Sequence, residues 1–436
     1  MRTRGGRLAV VASLAAGAAL VLGGCGTIRA QDTGTGGTSA AQLGFKEYAG
    51  AVDYPSVTGP HDKGYVAPGE GLRRLVPLGD CVLGEGTFAN GYRYVNVNWT
   101  GSQGCTKLSI TPKPGTAEET DVPYSMRSGW LGGGLPGDVV VPWDDGSLIG
   151  VGATLTRWTP DGEQVRLATL PLTFNDRPEQ ETADDASVNT AVKVGSLLLI
   201  GGGQTVDQVE SPYVFASDDA GKTVRRVPLP PIDGRQPSTP VGDFGVNGTQ
   251  VVAFGAAATN AYDFHTTGTI PFWRSADGGA HWKAGEITGT PPGTQVHRVL
   301  YASGHWFAVG GHAKAGAFYD SLPLVLTSED GTHWTRMDTS AMGTGVITAA
   351  TVDSAGHPVL VGSAPRPKSK PNTRTVRCGS VWVGNGTTTG WKRGSLGCSE
   401  DAPSAAVTLA DGRVLLAGNR DLWLSRGPGP GHGHRS

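Results

Sequence analysis

Charged residues are scarce in this chain, and so are helical patterns. Only 17% of its 436 residues are charged and the formal net charge is −2, which excludes the basic surface that nucleic-acid binding requires. No stretch beyond the N-terminus repeats apolar residues at helical spacing. Glycine, by contrast, occurs 68 times, and this composition favours many short strands joined by turns.

The signatures of common catalytic and metal sites are absent as well. The sequence contains no nucleophile elbow G-x-S-x-G, no H-E-x-x-H motif and no phosphate-binding loop. Five cysteines occur, but none of them forms the C-x-x-C pair that is typical of zinc sites. We therefore expect no metal site, no cofactor and no catalytic residue.

Residues 1–25 form a predicted targeting segment. Arginines at positions 2, 4 and 7 precede an apolar run over residues 8–22, which is too short for a comfortable membrane span. The run ends in Leu22-Gly23-Gly24-Cys25. This motif resembles the bacterial lipobox, in which small residues precede a cysteine that becomes the lipidated N-terminus. The resemblance implies lipid attachment at Cys25 and a place on the outer face of the bacterial cell membrane; an ordinary secretory signal with a chance cysteine is the alternative.

Three further segments follow the targeting segment. Residues 26–69 are predicted to form a flexible tether and lead-in, because residues 26–45 are rich in Gly, Thr, Ser and Ala. A repeated region fills residues 70–426. The tail at residues 427–436 is rich in Gly, Pro and His, and we expect it to be disordered.

An apolar strand that ends in glycine recurs along most of the chain. Its period of roughly 50 residues is typical of a β-propeller, and each period divides into four antiparallel strands joined by turns. We predict an all-β, seven-bladed β-propeller; the stretch 94–101 is its weakest copy, and six blades are the alternative if that copy is false. The glycines that end the six clear copies are Gly152, Gly201, Gly255, Gly310, Gly362 and Gly418.

The last repeat is incomplete, because residues 421–426 supply a third strand and only the glycine-rich tail follows. A fourth strand must therefore come from elsewhere in the chain. Residues 72–78 resemble predicted outer strands such as residues 225–229, so we expect the N-terminal stretch 70–79 to complete the last blade. This closure would remove an open sheet edge.

A turn at residues 275–282 has the spacing S-x-D-x-G-x-x-W. It resembles the Asp-box (BNR) repeat of sialidase-like β-propellers, and related turns begin one repeat earlier and one repeat later in the chain. The Ser and Asp side chains suit hydrogen bonds to the turn's own backbone, and Gly allows a positive φ. The resemblance implies a structural role for Ser217, Asp219, Gly221, Ser275, Asp277, Gly279, Trp282, Ser328, Asp330, Gly331 and Trp334.

The resemblance to sialidases raises the question of catalysis. Enzymes of that family hold the substrate carboxylate with three arginines, use a Tyr–Glu pair as nucleophile and an Asp as acid, and carry an Arg-Ile-Pro motif that this sequence lacks. Only four glutamates lie beyond residue 182, and Glu329 falls within a predicted turn. We therefore predict a monomeric, non-catalytic propeller that binds a glycan or a protein partner at the cell surface. The alternative is a sialidase-like glycoside hydrolase.

Four cysteines remain if Cys25 carries the lipid, and an even number in an exported chain suggests disulfide bonds. Three pairings are possible. We favour Cys81 with Cys105 and Cys378 with Cys398, because each bond then stays within one predicted blade.

The loops that join the second and third strands of the repeats are long and variable. Long loops on a rigid scaffold commonly carry binding residues. Aromatic and charged side chains in these loops suit a sugar or a peptide, and solvated insertions without a ligand are the alternative. The predicted ligand face comprises Tyr262, Asp263, His265, His312, Tyr319 and Asp320.

Overall fold

The chain forms a seven-bladed β-propeller. The computed structural model describes residues 38–53, 72–90, 93–110, 139–161, 163–172, 185–206, 209–260, 265–314, 317–365, 377–385, 390–399, 403–418 and 420–427. Within these ranges, 28 strands build seven four-stranded antiparallel sheets. The prediction of seven blades is confirmed, and the six-bladed alternative is wrong. No helix in the described ranges is long and apolar enough to span a membrane.

The strands of the first four blades follow one another along the chain. Blade 1 holds β2 (Leu72–Leu78), β3 (Cys81–Asn90), β4 (Arg93–Gly101) and β5 (Leu108–Ile110). Blade 2 holds β6 (Val139–Pro142), β7 (Leu148–Val151), β8 (Thr154–Trp158) and β9 (Gln164–Thr169). Blade 3 holds β10 (Asp185–Val194), β11 (Leu197–Val206), β12 (Val209–Ser217) and β13 (Arg225–Val227). Blade 4 holds β14 (Val241–Asn247), β15 (Gln250–Gly255), β16 (Gly268–Ser275) and β17 (Lys283–Thr290).

The remaining blades include one strand from the N-terminal end of the described chain. Blade 5 holds β18 (Gln295–Ala302), β19 (His305–Lys314), β20 (Ala317–Ser328) and β21 (Thr335–Arg336). Blade 6 holds β22 (Val346–Val352), β23 (Pro358–Pro365), β24 (Arg377–Gly384) and β25 (Trp391–Ser399). Blade 7 holds β26 (Ala405–Thr408), β27 (Val414–Ala417), β28 (Leu422–Ser425) and β1 (Phe45–Tyr48). Short 3₁₀ helices lie at Ala40–Leu43, Gln103–Cys105 and Ser340–Met342.

The first strand of each blade is the innermost one. These strands contact their counterparts in the neighbouring blades around a full circle, from β26 back to β2, so their edges line a central channel. The second strands are buried between blades and accordingly read as near-continuous apolar runs. In β15, for example, Val251, Val252, Ala253 and Phe254 are all 0% exposed.

The prediction of which segment closes the ring is wrong, although an N-terminal strand does close it. β1 pairs antiparallel with β28 and completes blade 7, whereas residues 72–78 form β2, the innermost strand of blade 1. The paired arginines make residues 72–78 similar in sequence to an outer strand. Leu72, Leu75 and Val76 are nevertheless buried, as an inner position requires. The weak repeat at residues 94–101 is likewise shifted: it lies in β4, the third strand of its blade.

Residues 38–53 form an N-terminal strap across the outer strands of three blades. Ser39 bridges to Ser395 of blade 6, β1 pairs with blade 7, and Val52 bridges to Leu108 of blade 1. The strap also fills two clefts between blades. Ala40 and Phe45 join the core between blades 6 and 7, and the apolar side chains at 51–52 join the core between blades 7 and 1. The predicted tether therefore does not extend over these residues.

Both predicted disulfide bonds are present. Cys81 is bonded to Cys105 within blade 1, and Cys378 to Cys398 within blade 6. The latter pair lies directly across the β24–β25 ladder, where the two residues are register partners. The local pairing follows because neighbouring strands of one blade hold their cysteines close in space. Lipid attachment at Cys25 lies outside the described residues.

Candidate binding site at the mouth of the central channel

Five of the innermost strands carry a β-bulge near their start. A bulge inserts one residue into the strand and changes the direction of the side chains that follow. The bulged residues are Arg73, Asn189, Gly242, His297 and Thr348. The residues directly after them are Arg74, Thr190, Asp243, Arg298 and Ala349, and all five line a single cavity.

The cavity lies among the innermost strands, which all begin on one face of the propeller. In an antiparallel blade this is also the face of the loops between the second and third strands, and we call it the channel face. The Asp-box turns lie on the opposite face, together with the hairpins between first and second strands. A backbone hydrogen bond of 2.8 Å from Gly278 to Thr249 joins one such turn to the hairpin of its own blade.

The cavity is lined by both polar and apolar side chains. The enclosed volume is about 230 Å³. Blades 1, 3, 4 and 5 contribute the charged and hydroxyl groups, whereas blades 2, 6 and 7 contribute small apolar side chains. Blades 6 and 7 form a continuous apolar wall of Ala349, Ala405 and Ala406, whereas Val139 and Val140 of blade 2 lie between the polar residues of blades 1 and 3. A ligand seated here would therefore meet polar groups from blades 1, 3, 4 and 5 and the apolar wall of blades 6 and 7.

Asp243 links three blades within the cavity. One carboxylate oxygen accepts a hydrogen bond from the backbone N–H of Val299 at 2.8 Å, and the other accepts one from the Thr190 hydroxyl at 3.2 Å. Burial raises the pKa of the Asp243 carboxyl, and the positive charges of Arg298 and Arg74 oppose that rise. Because both oxygens are engaged, this acid is held in one place.

Two arginines approach the cavity from opposite sides. Arg298 donates from Nη1 to the carbonyl oxygen of His297 at 2.8 Å, and Arg74 donates from Nη2 to the carbonyl oxygen of Asn189 at 3.3 Å. Arg73 also contributes to the lining. Three arginines and one acid, Asp243, therefore line the cavity. Guanidinium groups bind carboxylates and other oxyanions through paired N–H donors.

Three of the bulged residues also fasten their blade to the next one. Asn189 donates to the carbonyl oxygen of Val241 at 3.1 Å, and Nδ1 of His297 donates to that of Ile347 at 2.8 Å. Burial lowers the pKa of His297. In blade 6, Thr348 donates to the carbonyl oxygen of Pro403 at 3.3 Å. The polar side chains of the cavity thus stand on strands with fixed relative positions.

Two glycines of the sequence repeat, Gly310 and Gly362, and Gly202, the neighbour of repeat glycine Gly201, accommodate three of these bulges. A Cβ atom placed on Gly202, Gly310 or Gly362 would meet the carbonyl oxygen of Ser187, Gln295 or Val346, respectively, well inside 3.0 Å. Each of those carbonyls lies two residues before a bulge. Glycine is required there because the bulged first strand brings its backbone into the space that a side chain on the second strand would occupy.

The three predicted Asp-box turns share one hydrogen-bond pattern. In the turn at 275–282, the Ser275 hydroxyl donates to Asp277 at 2.8 Å and accepts from the N–H of Gly279 at 2.8 Å. His281 donates to Asp277 through its backbone N–H at 3.0 Å and contacts it through the ring at 2.6 Å. Trp282 donates to the carbonyl oxygen of Gly279 at 3.0 Å. The two bonds of the serine hydroxyl, to the aspartate and from the glycine N–H, also form in the turns that begin at Ser217 and Ser328.

These turns should make the stability of the propeller depend on pH. Hydrogen bonds from His281 and His333 hold the pKa values of Asp277 and Asp330 well below the usual range. The stabilisation that the two aspartates give the folded protein is therefore complete above the pKa of an unfolded aspartate, about 3.9. It is lost progressively as the pH falls below that value. Replacing both aspartates by asparagine should lower the free energy of unfolding at neutral pH and have a diminishing effect in acid.

Urea unfolding at neutral pH and at a series of acidic values tests this prediction. Asp218→Asn is the matched control, because Asp218 is an exposed acid in the first of these turns and has no hydrogen-bond partner among the described residues. The free energy of unfolding of this variant should equal that of the unmodified protein at every pH. A double variant that lost the same free energy at every pH would contradict the assignment.

The residues of the predicted ligand face do not line the cavity where the structure describes them. His265 is exposed, and His312 lies in β19 with Nδ1 against the carbonyl oxygen of Ala313 at 2.9 Å. Burial lowers the pKa of His312. Tyr262 and Asp263 lie outside the described residues, as do the side chains of Tyr319 and Asp320.

Sequence analysis missed the charged residues of the cavity. Arg74, Asp243 and Arg298 lie in innermost strands about one or more blade periods apart, so no local motif unites them. The only sequence signal was indirect: glycines within the second strands of blades 3, 5 and 6 lie against the bulges of the first strands. Within the described ranges, no cluster of three or more His, Cys, Asp or Glu residues could hold a metal ion.

No protein-family model matches the sequence, and no curated protein does either. Among solved structures, the leech intramolecular trans-sialidase with 2,7-anhydro-Neu5Ac is 13% identical at a TM-score of 0.41, covering 84% of this chain and 68% of that one. The extracellular domain of a proposed one component system of B. thetaiotaomicron is 10% identical at a TM-score of 0.38, covering 83% and 39%. Streptogramin B lyase is 11% identical at a TM-score of 0.34, covering 66% and 92%. Because these scores are low, the assignment of seven blades rests on the sheet topology of this chain.

Proposed function

We propose that this protein is an exported, lipid-anchored receptor whose propeller binds an acidic sugar residue at the mouth of its central channel, without catalysis. The observation that carries the proposal is the cavity itself. Arg73, Arg74 and Arg298 line it together with a single acid, Asp243, and guanidinium donors suit a carboxylate. A volume of about 230 Å³ lies below the ~300–1,000 Å³ of drug-sized pockets, so one ring or one terminal residue fits better than an extended chain.

A purely binding role fits the chemistry of the lining. Glycoside hydrolysis ordinarily needs a pair of acidic groups or a tyrosine nucleophile with its partner. Among the described lining residues, Asp243 is the only acid and no tyrosine occurs. Both oxygens of Asp243 are engaged in hydrogen bonds. The convergence of arginines with an acid nevertheless keeps a sialidase-like hydrolase as the second candidate.

Export and anchoring are supported by two features of the chain. Disulfide bonds persist in oxidising compartments outside the cytosol, and this protein has two within the described residues. The stretch that ends at Cys25 has the apolar run and the small residues of a lipobox. Several acyl chains on one cysteine would bury many CH₂ groups at about 0.8 kcal/mol each, which makes a stable anchor.

Replacing Arg298 by alanine should weaken binding of an acidic glycan at least tenfold. The loss corresponds to one hydrogen-bonded charge pair, about 1.5–3 kcal/mol. Binding would be measured by calorimetry on the full chain carrying Cys25→Ser, after a screen of sialic-acid and uronic-acid glycans, their neutral counterparts and peptides with a free C-terminus. Arg226→Ala is the control, since Arg226 is exposed on the outer strand of blade 3.

The outcomes separate the candidate functions. Equal binding by both variants would contradict the channel site, and preference for neutral glycans would contradict the charge argument. Binding of carboxyl-terminal peptides alone would indicate a protein partner in place of a glycan. Release of free sugar from a bound glycan, abolished by Asp243→Asn, would establish the hydrolase.

A further inference from the structure

The side chain of Asp243 keeps both of its hydrogen bonds whether or not it carries a proton. Oδ2 accepts from the backbone N–H of Val299 at 2.8 Å, and a peptide N–H can only donate. Oδ1 lies 3.2 Å from the Thr190 hydroxyl, and a hydroxyl can either donate or accept. Thr190 therefore donates to the ionised carboxylate and accepts from the protonated acid. The site suits both states without any movement of the strands.

Asp243 is also the one described lining residue whose charge changes with pH. Three arginines share the cavity with it: Arg73, Arg74 and Arg298. A guanidinium group stays protonated at any pH that proteins tolerate. The neighbouring His297 directs Nδ1 to the carbonyl oxygen of Ile347, and burial lowers the pKa of its ring, which favours the neutral form. The lining residues from β6, β10, β22 and β26 are uncharged.

An anion held by Arg298 must lie close to this acid. Asp243 accepts a hydrogen bond from Val299, the residue directly after Arg298, and the charges of Arg298 and Arg74 both act on it. Two carboxylates in one partly desolvated site repel each other, which favours protonation of one of them. Burial already raises the pKa of Asp243 in the absence of any ligand. Because linkage is reciprocal, an anion that promotes protonation of Asp243 binds more tightly once Asp243 is protonated.

We infer that an acidic ligand enters the cavity together with a proton from solvent, and that this proton binds to Asp243. The inference rests on the acidic ligand proposed above. The ligand carboxylate then becomes the counter-charge of the arginines, while neutral Asp243 stays bonded to Thr190 and Val299. Affinity for an acidic sugar rises as the pH falls, by at most tenfold per pH unit because one proton is involved. Affinity for a neutral sugar does not change in this way.

The test is calorimetry on the full chain carrying Cys25→Ser, with glucuronate and N-acetylneuraminate as probes. Titrations run from about pH 5 to about pH 8, where the carboxyl group of each probe stays ionised. Each one is repeated in two buffers of different ionisation enthalpy, which gives the number of protons taken up per bound probe. We expect uptake of up to one proton and a Kd at least tenfold lower at the acidic end. The methyl ester of glucuronate is the neutral control and should take up none.

Asp243→Asn supplies the matched variant, because its amide copies the protonated acid. The amide oxygen can accept from Val299 and the amide nitrogen can donate to Thr190, so the fold is retained. We expect this variant to take up no proton and to bind both acidic probes at every pH as tightly as the unmodified protein does in acid.

The other outcomes contradict the inference in distinguishable ways. Unchanged pH dependence in Asp243→Asn would assign the proton to another group such as His297, and weaker binding by this variant at neutral pH would show that the probe needs the ionised acid. Constant affinity without proton uptake in the unmodified protein would overturn the proton coupling and leave the receptor intact. Failure of both acidic probes to bind at any pH would overturn the coupling and the acidic-sugar site together.

Discussion

Deleting residues 38–53 is expected to abolish the cooperative folding of the propeller. The deletion removes β1 and leaves the outer edge of β28 without a partner. It also empties two inter-blade clefts, since Ala40 and Phe45 leave the core between blades 6 and 7, and Val52 leaves the core between blades 7 and 1. Burying one large apolar side chain contributes about 1.5–3 kcal/mol, and a typical domain is stable by only about 5–15 kcal/mol.

Urea unfolding followed by tryptophan fluorescence measures the effect. Deletion of residues 26–37 is the matched control; it removes residues N-terminal to the strap and should leave the free energy of unfolding unchanged. Phe45→Ala tests the same cleft without removing a strand and should cost about 3–5 kcal/mol. Lys46→Ala, at an exposed neighbouring position, removes only a contact of the ammonium with the Tyr48 ring at 4.7 Å and should cost no more than about 0.5–1 kcal/mol. Equal midpoints for both deletions would contradict the closure of the ring by β1.

Replacing Gly310 by alanine is expected to cost stability and ligand binding together. The new methyl group would meet the carbonyl oxygen of Gln295 and lie 3.1 Å from Cα of Val296. Forcing extra volume into packed structure costs about 1–3 kcal/mol. The bulge at His297 would have to shift to relieve the clash, and Arg298 follows it directly. The guanidinium group of Arg298 would then be displaced from its position in the cavity.

Two other glycines separate these effects. Gly362→Ala meets the carbonyl oxygen of Val346 in the same way, but the bulge of that blade places Ala349 on the apolar wall, so we expect lost stability with a smaller loss of affinity. Gly304→Ala lies in a turn at φ +81° with nothing within 4 Å, and its cost comes only from the left-handed backbone, roughly 1–2 kcal/mol. Full ligand affinity in Gly310→Ala would refute the link between glycine repeat and cavity.

Local chemistry explains how much of the fold the sequence predicted. The regular repeat, the alternating strands and the tight turns depend on residues close together in the chain. The repeating blade could therefore be predicted from the sequence. The Asp-box turns depend on residues within one turn, and Ser275, Asp277 and Gly279 bond to one another. Each disulfide joins strands of one blade, with separations of 24 and 20 residues.

The sequence by itself therefore determined the repeating blade, its turns and its disulfide bonds, because all of these arise between residues close together in the chain. Only the tertiary structure decided which N-terminal segment closes the ring, since Phe45 and Trp423 are distant in sequence and meet because a circle brings its two ends together. The same holds for the cavity. Arg74, Asp243 and Arg298 carry no shared motif, and they converge because bulges in separate innermost strands direct them towards one axis.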